Sequence, residues 1–214
     1  DYSQGSFFLL IDGNAASLNL NNITGISLVE RTTLVGGMTL NTGEFLLAHD
    51  GSGGDILHYV PGSLGTTTTG TSSILVAGPD INIGQNIGGL HLVHNDTVIG
   101  GKSLTAGQLL VSIQGDDSTI GHTPTINVLR EDVFVLDVTA TGVGTSAATA
   151  ERFFEGLDES LDNNNESIWG IGYQGNAAPT IGAETFALDE NSANGTVVGS
   201  ASGTDPEGGA LTYA

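Results

Sequence analysis

Oxygen donors dominate the chemistry this sequence can offer. Their densest run is Asp158-Glu159-Ser160-Leu161-Asp162-Asn163-Asn164-Asn165-Glu166. A hard cation such as calcium takes about six to eight oxygens from carboxylates, amides and carbonyls, so this run is the first place to look for one. It lacks the order of an EF-hand loop, because Asn163 stands at the sixth place where the sharp turn needs Gly. It reads as a solvated turn. Gly115-Asp116-Asp117 is a shorter stretch of the same kind.

Nitrogen ligands and nucleophiles offer less. His91 and His94 are three apart, a spacing that puts them on opposite faces of a strand and argues against a zinc pair. His49, His58 and His122 have no partner that spacing identifies. Gly142-Val143-Gly144-Thr145-Ser146-Ala147 imitates a dinucleotide fingerprint. That motif must open a helix in a βαβ unit, and the related stretch upstream is strand-like by β-branching. The chain has no cysteine and no Gly-x-Ser-x-Gly. With 24 acids, some carboxylate pair at the roughly 5–9 Å of a glycosidase is guaranteed whatever the function.

Charge removes whole classes of partner. Asp plus Glu outnumber Lys plus Arg by 24 to 4, a formal charge of −20. Arg31, Lys102, Arg130 and Arg152 are the only bases, so no basic patch exists to neutralise phosphates, and nucleic acid is excluded as a partner. An anionic membrane surface would repel the chain. No apolar run approaches the ~20 residues of a span, so direct membrane insertion is not expected either. The acid excess suits a protein living among divalent cations or in salt, and equally one kept in solution by charge.

The elements that would position these residues are short strands. Runs of four to seven apolar or alternating residues between Gly, Asn, Asp and Thr clusters predict an all-β chain. The text also repeats. Gly43-Glu44-Phe45-Leu46-Leu47 returns 64 residues later as Gly107-Gln108-Leu109-Leu110-Val111. Ile23/Gly25/Ile26, Ile87/Gly89/Leu90 and Ile168/Gly170/Ile171 each follow an Asn/Asp-rich loop. The expected organisation is a repeat β domain over 1–173, with a partial copy at 1–42 and copies at about 43–106 and 107–173. In the first full copy, strands are expected near 44–49, 55–60, 73–77 and 87–94, the pattern of a β-propeller blade. An open β-sandwich gives the same local signals, and a β-solenoid is a third possibility. The glycine inside each Ile-x-Gly strand predicts a bulge or a close backbone approach. Residues 146–154 contain helix formers, but the repeat predicts a strand from about Ala150.

From Gly172 the grammar changes. Residues 174–179 read as a linker, followed by Glu190-Asn191-Ser192, Gly195-Thr196-Val197-Val198-Gly199, Asp205-Pro206-Glu207 and Leu211-Thr212-Tyr213. With Asn176 and Pro179 ahead of them, these marks make residues 176–214 resemble the start of a cadherin-like repeat. The block before it is similar to repeats that precede cadherin-like arrays in large bacterial surface and adhesin proteins. The resemblance implies the first strands of an immunoglobulin-like sandwich over 180–214, truncated within this chain. It also implies calcium held by Glu190, Asp205 and Glu207, with the site finished by a following cadherin-like repeat in cis. The leading linker departs from the family pattern, since Tyr173, Gly175 and Ala177 stand where acidic or amide ligands are expected. Asn22, Asn95, Asn165 and Asn194 begin Asn-x-Ser/Thr triplets, which in bacterial proteins read as turns rather than glycosylation sites.

Both ends read as cut within strand-like runs, so a segment of a longer polypeptide is expected. Together these features predict a non-catalytic, extracellular or cell-surface segment acting in adhesion or display, with surface proteins or glycans as partners. The alternative is a glycan-binding or glycan-cleaving propeller with a cadherin-like spacer, which needs rim aromatics such as Tyr59, Trp169 and Tyr173.

Overall fold

The computed structural model describes residues 9–14, 18, 20, 22–161, 166–173, 179–182, 185–200 and 202–204. The chain divides into two compact units, Asp1–Tyr173 and Gln174–Ala214.

The first unit is all-β. Its strands are Ile23–Leu28 (β1), Thr33–Val35 (β2), Met38–Leu40 (β3), Phe45–His49 (β4), Ile56–Ser63 (β5) and Thr69–Val76 (β6). They continue with Ile87–Leu92 (β7), Thr97–Ile99 (β8), Lys102–Leu104 (β9), Leu109–Ile113 (β10), Asp117–Ile120 (β11), Ile126–Val128 (β12), Val133–Ala140 (β13) and Ala147–Phe154 (β14). Two four-stranded antiparallel sheets result, in the orders β1-β4-β5-β6 and β7-β10-β13-β14, and neither closes into a barrel. Small hairpins β2-β3, β8-β9 and β11-β12 interrupt the two meanders.

The sheets are cut at a different phase from the copies read in the sequence. The strand near 87–94 does not close the first sheet: β7 pairs with β10, with Leu110 opposite His91 and Val111 opposite Leu90. Each sheet therefore opens with its Ile-x-Gly strand. The reason lies in the Asn/Asp-rich loops. Each begins with a 3-10 turn, Gly78–Ile81 or Gly156–Glu159, closed by a left-handed residue, Asn82 or Ser160. That geometry turns the chain off the edge of a sheet instead of folding it back as a hairpin.

Two further expectations shift. Between Val111 and Asp132, where Gly115-Asp116-Asp117 and Gly121-His122-Thr123-Pro124 predict an extended loop, the chain forms the β11-β12 hairpin, which places Ile120 and Val128 at 0% exposure in the core. Strand β14 begins at Ala147 rather than near Ala150, because Ala147 to Arg152 all find partners in β13, across one register shift between Val138 and Ala140. Cross-strand pairing outweighs the helix propensity of an Ala-rich run.

The sheets share one core. Leu46, Ile56 and Leu75 from the first meet Leu90, Val111 and Phe134 from the second. Their outer faces are apolar as well. Residues Leu18 and Leu20 cover Phe45, Leu47, Leu57 and Tyr59, while Ile168 and Ile171 cover Leu110, Val133 and Val135. Burial on both faces explains why residues 45–48 and 109–111 are continuous apolar runs and do not alternate. Each fully buried Leu or Ile contributes roughly 1.5–3 kcal/mol.

Two of the three Ile-x-Gly segments, β1 and β7, carry both features expected of them, whereas residues 168–171 form no strand and a Cβ on Gly170 would meet nothing within 4 Å. The register slips beside Gly25 in the β1-β4 pair and beside Gly89 in the β10-β7 pair. A Cβ on Gly25 would lie 3.0 Å from the Leu90 Cβ, and one on Gly89 would lie 3.0 Å from the Gly170 nitrogen. Each sheet thus presses its first strand against the next Ile-x-Gly. Two hydrogen bonds join the far sides: Gly142 N–H to the Leu75 carbonyl at 2.9 Å, and Ala77 N–H to Ser146 Oγ at 2.9 Å.

In the second unit, Thr180–Ile181 (β15) pairs antiparallel with Gly203–Thr204 (β16). Phe186, Leu188, Val197 and Val198, which an immunoglobulin-like sandwich would bury, are exposed. The linker residues 174–178 and the stretch 205–214 lie outside the described residues.

Candidate functional site

Of the three residues implied as calcium ligands, Glu190 is described and Asp205 and Glu207 lie outside the described residues. Glu190 is exposed in a turn closed by Ser192, whose N–H and hydroxyl both donate to the Asp189 carbonyl at 3.2 and 2.6 Å. Among the described residues, no group of three or more His, Asp or Glu is placed to hold a metal ion. Nor is any helix among them long and apolar enough to cross a membrane.

In the first unit, carboxylates hold backbone. Asp55 accepts the Gly78 N–H at 2.8 Å, and its counterpart Asp132 accepts the Gly156 N–H at 3.0 Å and the Leu129 N–H at 2.9 Å. Asp116 accepts from Arg130 N–H and Nε, and Asp117 from the Gly84 N–H at 2.8 Å. Asp80 accepts the Ser146 N–H, and Asp96 the Ala106 N–H. Asp50 bridges Asn22 Nδ2 at 3.0 Å and Gln114 Nε2 at 3.1 Å, and these two donors hold its pKa below the usual 3.8. Gly-rich turns leave many N–H groups without a ladder partner, and short acids are the side chains that satisfy them locally. Of the acidic loop, Asp158 and Glu159 lie exposed in the 3-10 turn, and residues 162–165 are outside the described set.

One acid–base pair escaped the sequence reading. Glu44 Oε2 lies 2.7 Å from His58 Nε2, with side chains only 10% and 7% exposed. The Asn41 N–H donates to Glu44 Oε2 at 2.7 Å and Asn41 Nδ2 to Oε1 at 3.0 Å. Burial pushes the Glu44 carboxyl up, but Asn41 side chain, Asn41 backbone and His58 together bring it below its usual 4.5. An ionised carboxylate only accepts, so the His58 Nε2 carries the proton. The one cue was the β4-β5 hairpin, whose register sets His58 opposite Leu46.

His91 and His94 meet, contrary to the strand-spacing expectation. β7 ends at Leu92, the chain turns, and the two rings stand edge to face with centroids 6.1 Å apart. Tyr173 packs edge-on to His91 at 6.1 Å, its hydroxyl donating to Thr97 Oγ1 at 2.7 Å. His94 Nε2 accepts the Glu30 N–H at 3.0 Å, and the ring also bonds the Leu28 backbone. His94 is a clasp between the ends of β1 and β7, with no lone pair left for a metal.

Burial, then the neighbouring His94, lowers the His91 pKa below 6.5, with Glu30 opposing. Burial likewise lowers His94 below 6.5, Glu30 opposing and Arg31 assisting. The unfolded chain therefore binds protons more readily here. Stability from these rings is complete above pH 6.5 and is lost as pH falls through 6.5 toward the folded values. Proton NMR titration is expected to place both midpoints below 6.5, with a lower urea midpoint at pH 5.5 than at 7.5. Midpoints at or above 6.5 would refute this account.

Protein-family models, curated proteins and solved structures were compared with this chain. None matches.

Of the aromatics a glycan-binding rim would need, Tyr59 is fully buried, its hydroxyl donating to the Thr69 carbonyl at 2.7 Å. Tyr173 is partly buried. Trp169 is 63% exposed, because Ile168 and Ile171 take the inward positions on either side.

Proposed function

We propose that this chain is a non-catalytic segment of a large secreted or surface-attached protein, acting in adhesion or display. The observation that carries the reading is how the acids are used. Asp55, Asp80, Asp96, Asp116, Asp117 and Asp132 all accept backbone N–H groups, and Asp50 ties the Asn22 and Gln114 side chains. The buried Glu44–His58 pair is closed off by Asn41. Side chains committed to holding a scaffold leave its exposed, strongly acidic surface as the working part.

At finer resolution we read the two sheets as blades of a β-propeller type. Support comes from the meander order, the Ile-x-Gly strands crowded against each other, and the same polar joints recurring between sheets. An open stack of sheets is the alternative. Unit Gln174–Ala214 is read as the start of a cadherin-like repeat with calcium at Glu190, Asp205 and Glu207, completed by the following repeat. Calcium would neutralise part of the −20 charge and stiffen the junction. In a chain extended by two cadherin-like repeats, millimolar calcium is expected to raise Tm, and Glu190→Gln with Asp205→Asn is expected to abolish the rise. No rise in the unsubstituted chain removes calcium from the reading.

A further inference from the structure

Equivalent positions in the two sheets differ sharply in exposure. Ile26 and Leu28 of β1 are 45% and 44% exposed, whereas Leu90 and Leu92, 64 residues on, are 1% and 0% exposed. The preceding sheet accounts for the burial of the second pair. Leu90 lies under Gly25, and the Leu92 N–H donates to Ser27 Oγ at 2.9 Å. A third pair behaves alike. A Cβ on Gly107 would lie 2.3 Å from the Leu34 carbonyl of the β2-β3 hairpin, whereas one on Gly43 would meet nothing within 4 Å. Over Ile26 and Leu28 there is instead an apolar groove of about 470 Å³, lined by Leu10, Ile26, Leu28, Gly43, Phe45 and Leu64.

The other half of this face is already covered, in the manner of a repeat junction. The Gly65 N–H donates to the Leu10 carbonyl at 2.9 Å, as Gly142 N–H does to Leu75. The Asp12 N–H donates to Thr68 Oγ1 at 2.9 Å, as Ala77 N–H does to Ser146 Oγ. Residues 9–12 thus make the contacts that the last strand of one sheet makes with the next sheet.

We propose that the groove over Ile26 and Leu28 seats the inner strands of one further copy of the repeat, the copy whose last strand is residues 9–12. The occupant supplies a small residue above Ile26, a hydroxyl at the Leu28 N–H and a hairpin carbonyl above Gly43, by the same fit that buries Leu90, Leu92 and Gly107. This inference rests on the sheet junctions alone and is independent of adhesion or calcium.

The chain has no cysteine, so single thiols report each position cleanly. In the chain as it stands, Leu28→Cys is expected to react with maleimide about a hundredfold faster than Leu92→Cys, since a buried thiol waits for local opening. A second chain carries an added copy of residues 23–86 directly ahead of Ile23, so that Asn86 meets Ile23 as Asn22 does. There, the Leu28→Cys thiol ahead of the original β2 is expected to slow to the rate of Leu92→Cys. An unchanged rate overturns the proposal. So does loss of Leu92→Cys protection in the extended chain, because an added copy that fits must leave the existing junction intact. If labelling of Leu28→Cys in the unextended chain falls with protein concentration, the occupant is a second molecule, and the proposal also fails.

Discussion

Glu44→Ala is expected to destabilise the first unit by about 3 kcal/mol, because removing one partner of a buried pair strands the other. His58, its side chain only 7% exposed, would have nothing to receive its Nε2 proton, and Asn41 would lose the acceptor for both N–H and Nδ2. The second sheet supplies the control. Gln108 stands where Glu44 does and accepts the Thr105 N–H at 2.9 Å, repeating the Asn41 turn without a charge. Val135 stands in place of His58, in register with Leu110 as His58 is with Leu46. The double variant Glu44→Gln/His58→Val is therefore expected to lie within about 1 kcal/mol of the parent at neutral pH, because replacing both partners together leaves no buried charge unpaired. Its pH profile will differ. The folded Glu44 pKa lies below 4.5, so the stability from its ionised form is present above pH 4.5 and lost as pH falls through 4.5 toward that lower value. The double variant will lack this acid limb. Urea denaturation of the parent, Glu44→Ala and the double variant across pH 3–7 measures all three. A double variant as unstable as Glu44→Ala would mean that the pair carries more than packing and hydrogen bonding.

Gly78→Ala and Gly156→Ala are each expected to cost about 3 kcal/mol or more, at the upper end of overpacking costs, because the clash is with backbone. A Cβ at Gly78 would sit 2.3 Å from the Gly53 carbonyl oxygen and 2.6 Å from the Gly54 carbonyl carbon. At Gly156 it would sit 2.4 Å from the Glu131 carbonyl oxygen. Neither site can yield easily, since both N–H groups are tied to aspartates, the half-buried Asp55 and the fully buried Asp132, that stand just before β5 and β13. A chain of this size loses roughly 2–4 °C of Tm per kcal/mol, so a fall of about 6–12 °C is expected on heating. Gly144→Ala is the reference: its Cβ would meet nothing within 4 Å, although its φ of +74° carries its own strain. A smaller loss at Gly78 than at Gly144 would show that the turn rearranges.

Local features of this kind were legible in the chain. The all-β character followed from runs of four to seven apolar or alternating residues between Gly and Asn clusters, and the repeat from Gly43-Glu44-Phe45-Leu46-Leu47 against Gly107-Gln108-Leu109-Leu110-Val111. The strand at Ala147–Phe154 was visible only because its relative, Thr69–Val76, is β-branched where it is Ala-rich. The site was less legible. Glu44 and His58 are 14 residues apart, and nothing local marks them as partners until a hairpin brings them together. His91 and His94 were placed apart by strand periodicity, which stops applying two residues before His94.

The sequence by itself determined the Ile-x-Gly strands, the Asx-rich turns and the acidic surface, because each depends on residues within a few positions of one another. Only the tertiary structure decided which strand belongs to which sheet. Pairing of β7 with β10 and not with β6 depends on where a 3-10 turn aims the chain, and apolar runs buried on both faces carry no alternation to say which neighbour they meet. The oxygen-rich loops are ambiguous in the sequence for the same reason. A carboxylate that will hold a distant backbone N–H and one that will hold a cation are the same residue until the fold brings Gly78 to Asp55, or Gly84 to Asp117.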